Sequence, residues 1–147
     1  DFRFIHIDGS HLYEHVVKDL NFAISVVNPQ VGVIAVDDFR AQHTVGVALA
    51  VWQAILEGDV IPLVMTPAKI YLSRPGISFD INEFKTRLES LKIQSVFEDI
   101  LGNRVVRTLN LEDQQLYATT GRLIQFLPPI FVDLIRNSYL WKKLRRR

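Results

Sequence analysis

The chain contains no cysteine, which excludes a disulfide framework and any thiolate metal site. That absence fits a reducing, cytoplasmic compartment. No apolar run reaches the roughly 18–20 residues of a membrane-spanning helix. No basic stretch leading into an apolar one marks a signal peptide. The glycines, at 9, 32, 46, 58, 76, 102 and 121, never cluster, so the chain has no Gly-rich loop of the kind that cradles phosphates. Internal repeats and low-complexity linkers are absent too. The chain opens Asp1-Phe2-Arg3, without methionine and almost directly inside a strand pattern, and this predicts a piece of a longer protein.

What is there reads as globular. One domain is the expectation for 147 residues, and 48% hydrophobic residues is too many for a disordered chain. The net charge of +1 is unevenly spread. The last six residues, KKLRRR, hold five positive charges, and without them 12 basic side chains face 16 acidic ones, a body of −4. An acidic body without aromatic–basic interleaving argues against a nucleic-acid partner.

Residues 2–7 read as a buried strand, with Ser10 as N-cap of an amphipathic helix carrying Val16, Val17, Leu20, Ala23, Ile24 and Val27 on one side. Asn28-Pro29 ends that helix. A second buried strand, 31–36, leads to a helix over 44–57 that Gly58-Asp59 stops. Strand, helix, strand, helix with short links is the pattern of a parallel sheet. The rhythm then changes. VIPLVMT and KIYLS are separated by Pro67-Ala68 alone, which predicts an antiparallel hairpin at one side of the sheet. A short helix over 80–91 and a second hairpin turning near Gly102-Asn103 follow.

The two buried strands end alike. In FIHIDGSHLYEHVVKDL, residues 4–20, the apolar run stops on Asp8, with His11 three residues later; in VGVIAVDDF, residues 31–39, it stops on Asp37 and Asp38. Ligands of open parallel sheets bind beyond the carboxyl ends of the strands. Strands about 4.8 Å apart let carboxylates from both ends reach one cation. Three close carboxylates require a cation or a proton between them, and all-oxygen ligands favour a hard ion such as Mg²⁺. A neutral imidazole at position 11, on the first helical turn, can take a proton from a substrate hydroxyl that the ion polarises. Each ending also has an ordinary explanation: loops are polar, Asp37 can cap the next helix, and a lone His at a helix start is usually a surface residue.

The three stretches FIHIDGSHLYEHVVKDL, VGVIAVDDF and TVGVALAV together resemble the class I S-adenosylmethionine-dependent methyltransferases, in the metal-dependent O-methyltransferase branch that includes the macrocin type. The resemblance covers residues 1–75, which would be the C-terminal half of such a domain. It implies a partial Rossmann-like α/β sheet of two parallel strands with crossover helices, then an antiparallel hairpin. It further implies Asp8, Asp37 and Asp38 as ligands of Mg²⁺ or another divalent cation, His11 as general base, and a small-molecule or sugar hydroxyl as acceptor. The family's cofactor-binding units, with their Gly-rich loop, have no counterpart here. The first strand would then present an apolar edge to another chain or to a second copy of this one.

Residues 76–127 are expected as a helical and hairpin appendage packing on that body. Residues 128–147 are expected as a basic amphipathic helix that either lies on an anionic membrane surface or docks on the body. Two non-enzymatic readings compete. One is a response-regulator receiver, whose phosphoacceptor would have to be Asp80, although GISFDINEF does not read as a strand ending. The other is a non-catalytic α/β module with a membrane-surface helix.

Overall fold

The structure is a computed structural model, described here for residues 1–109. The expected helix over 128–147 and the end of the expected appendage lie outside the described residues. The described chain is mixed α/β. Its elements are β1 (Phe4–Ile7), α1 (Tyr13–Val26), β2 (Val33–Val36), α2 (Val45–Glu57), β3 (Ile61–Met65), β4 (Ile70–Ser73), α3 (Ile81–Ser90), β5 (Ser95–Ile100) and β6 (Asn103–Thr108). They form one open six-stranded sheet in the order β1-β2-β4-β3-β6-β5. Among the described residues no helix is long and apolar enough to cross a membrane.

The crossover from β1 through α1 to β2 is parallel, in the register Ile5↔Ile34 and Ile7↔Val36. Side chains alternate across a strand, so these four share one face. There they join Val16, Leu20 and Ala23 of α1, Val47, Ala50 and Val51 of α2, and Ile70 and Leu72 of β4 in a single apolar core. Gly58 closes α2 in the left-handed region, φ 82°, where its N–H bonds the Ala54 and Ile55 carbonyls. The opposite face carries Val33 and Tyr71. With Leu63, Val64, Phe84 and Leu88 they line a groove of about 440 Å³, which puts α3 on the side away from α1 and α2.

Three expectations are corrected. First, β1 is not fully buried. Ile5 and Ile7 face the core, but Phe4 is 58% exposed, because no described element covers the other face of this edge strand. Second, the β3–β4 hairpin is not at the side of the sheet. β4 runs antiparallel between β2 and β3, and β6 adds in parallel beyond β3 (Val64↔Val106), so the second hairpin extends the same sheet. Pro62 is tolerated inside β3 because the register shifts between Pro62 and Val64, and β6 pairs only with Val64 and Met65. Third, α1 starts later than Ser10 implied. Leu12 is its N-cap, and the Ser10 hydroxyl accepts from Leu12 N (3.3 Å) and pairs with His15 Nδ1 (2.9 Å).

Asp80 caps α3, accepting from Asn82 N and Glu83 N at 2.9 Å each. Asp80 closes no strand, since the preceding residues 77–79 belong to no element, whereas the receiver reading needs a phosphoacceptor at a strand ending. Asp80→Ala is expected to lower stability by about 1 kcal/mol in chemical denaturation. An unchanged midpoint would show that α3 does not depend on its cap.

Candidate metal and acid–base site

The register sets the first cluster. Ile7 pairs with Val36, and Asp37 N continues the ladder to the Ile7 carbonyl at 3.0 Å, so Asp8 and Asp37 leave the sheet side by side. Val36 also pairs with Ile70, which brings Lys69 opposite Asp37. Alternation then puts His6, Asp8, Asp37 and Lys69 on the sheet face away from α1 and α2. One ligand atom from each of His6, Asp8 and Asp37 falls within a mutual 4.8 Å. His6 Nε2 lies 3.6 Å from Asp37 Oδ2. The same Oδ2 accepts from Lys69 Nζ, which stands 3.2 Å from His6 Nε2.

Asp37 does not cap α2, whose N-cap is Thr44. Its other oxygen accepts from Asp38 N at 2.9 Å. The Lys69 hydrogen bond, with that of Asp38 N, lowers the Asp37 pKa against a modest opposing effect of burial. The bond to Asp37 raises the Lys69 pKa in turn, with the Asp8 charge adding to it. A depressed carboxylate contributes stability that is present above the ordinary range and lost as pH falls through the folded value.

The second cluster lies above the helix starts. The chain turns at Asp38, whose φ of 54° is a left-handed conformation that Asp tolerates better than most residues. Its carbonyl accepts from the buried Thr44 hydroxyl at 2.6 Å. The Asp38 carboxylate is thereby turned onto His11, with Oδ2 at 3.1 Å from Nε2. When that nitrogen donates, Nδ1 is left to accept a proton. His11 sits in the loop before α1, not on its first turn as expected. Its backbone rests on α2: a Cβ at Gly46 would lie 2.5 Å from the His11 carbonyl oxygen and 2.7 Å from Tyr13 N. His43 meets the His11 ring edge-on at 6.1 Å.

Of the residues expected at the site, Asp8, His11 and Asp37 border one crevice of about 10 Å³, room for a single water, which opens on the helix side beside Val16 and Val47, whereas the group with His6 lies on the other face. Asp38, expected as a third oxygen ligand, is outside the converging group and holds His11 instead. His6 and Lys69 went unnoticed in the sequence. His6 had a readable signal, since it stands two residues before Asp8 and so shares its side of the strand. Lys69 had none beyond its place after a tight turn. The donor set of the group is one imidazole nitrogen and two carboxylate oxygens. It suits Mn²⁺ or Zn²⁺ as well as Mg²⁺, which the all-oxygen expectation had singled out. No family model, no curated protein and no solved structure matches the chain.

Proposed function

We propose that this chain carries the metal-binding and proton-accepting part of an S-adenosylmethionine-dependent O-methyltransferase acting on a hydroxyl of a small molecule or sugar. The observation that supports this most is the convergence of His6, Asp8 and Asp37 at the carboxyl ends of two parallel strands, with His11 in the loop that follows Asp8. The antiparallel hairpin after those strands agrees with the resemblance. The reading also leaves the outer edge of β1 for pairing with another strand.

His6, Asp8 and Asp37 would hold the divalent ion, and their mutual spacing and donor chemistry fit one. Such an ion would polarise the acceptor hydroxyl. His11 takes the hydroxyl proton at Nδ1. Asp38 keeps the ring in place and stabilises the imidazolium that forms. No Gly-rich loop is present, so no residue of this chain is assigned to the methyl donor.

A second reading, the non-catalytic α/β module, is favoured by one observation: Lys69 already neutralises Asp37 without any ligand. Calorimetric titration of the 147-residue chain separates the two. The enzymatic reading expects Mn²⁺ or Mg²⁺ to bind and S-adenosylmethionine alone not to bind. A chain that takes up no divalent ion would support the non-catalytic module.

A further inference from the structure

The group of His6, Asp8 and Asp37 already faces a cation, the Lys69 ammonium. We propose that Lys69 is a tethered competitor of the divalent ion: its ammonium holds the place between Asp37 and His6 until the ion displaces it, and so sets the metal affinity. This rests on the reading of those three residues as ligands.

The atoms carry the argument. Lys69 Nζ donates to Asp37 Oδ2 and lies 3.2 Å from His6 Nε2, two groups that an ion in this cluster would need. An ammonium has donors only, so in the tautomer that leaves Nε2 unprotonated this nitrogen accepts from Lys69 through the same lone pair that it would offer a metal ion. That one lone pair cannot serve both cations.

The placement is built into the backbone. Thr66 N donates to the Lys69 carbonyl, and Lys69 N to the Thr66 hydroxyl, each at 2.8 Å. Phe39 N bonds the Ala68 carbonyl at 2.9 Å, tying this turn to the loop that carries Asp37. The side chain remains free to leave, because it is 31% exposed on a flexible four-carbon stem. The lysine is therefore anchored at its base and releasable at its tip.

The test is a Mn²⁺ titration of the full chain and of Lys69→Met, Lys69→Gln and Lys69→Arg, read by calorimetry and by the electron paramagnetic resonance of free Mn²⁺. Circular dichroism checks the fold of each variant. Both neutral variants are expected to bind about fivefold more tightly, the fold-change that corresponds to losing a partly exposed ion pair. Lys69→Arg keeps the charge and is expected to bind no more tightly than the parent. Equal or weaker binding by the neutral variants would overturn the competitor role while leaving the ligand group standing. Failure of every form to bind Mn²⁺ would overturn the ligand group itself, and the inference with it.

Discussion

Asp37→Asn is expected to weaken Mn²⁺ binding by about 100-fold or more. Loss of a residue that only supports a ligand typically costs 10–100-fold, and Asp37 is proposed as a ligand itself. The amide has the shape of the carboxylate, and its oxygen can still accept from Asp38 N, so the turn after β2 keeps its local bond. What disappears is the charge that faces His6 and Lys69. A partly exposed ion pair contributes only about 0–1 kcal/mol to stability, so the melting temperature should change little while binding collapses. That separation is the useful feature of the variant. Equal binding by Asp37→Asn and its parent would mean that any ion taken up sits elsewhere.

Gly46→Ala is expected to destabilise the fold by about 1–3 kcal/mol through overpacking. The added methyl would meet the His11 carbonyl oxygen and Tyr13 N, which are backbone atoms that no rotamer change can move. The first turn of α2 must then back away from the start of α1. The same movement should loosen the 3.1 Å contact between His11 and Asp38. Denaturant unfolding checks the first effect, and the His11 ring resonances in proton NMR check the second. A stable variant with unshifted His11 signals would show that the two helix starts are not in the close contact described.

The contrast between these two positions shows how far the sequence could be read. The apolar runs ending at Asp8 and Asp37, the helix stripe through Val16 and Leu20, and the stop at Gly58 are local signals, and the elements they announce are found. The hairpins were legible for the same reason, because only Pro67-Ala68 separates one pair of strands. The position of β4 was not legible. It depends on pairing between residues far apart, Val36 with Ile70, and no local pattern encodes that. Lys69 was missed as a consequence, for only that register makes it a neighbour of Asp37.

His6 was hidden differently. An imidazole inside an apolar run looks like a tolerated core residue. Here it faces outward because β1 is an edge strand with one face uncovered. The redirection of Asp38 depends on a left-handed backbone conformation at a residue that is not glycine. The pair Asp37-Asp38 therefore reads as two equivalent carboxylates, whereas the fold sends them to different partners.

His6, Asp8 and Asp37 are proposed to converge on one divalent ion. The most direct measurement is anomalous diffraction at the manganese edge from crystals of the chain grown with Mn²⁺. One peak is expected within bonding distance of His6 Nε2 and of an oxygen from each aspartate, with the Lys69 ammonium moved off Asp37. Crystals with no peak there, and with Lys69 still bound to Asp37, would contradict that convergence.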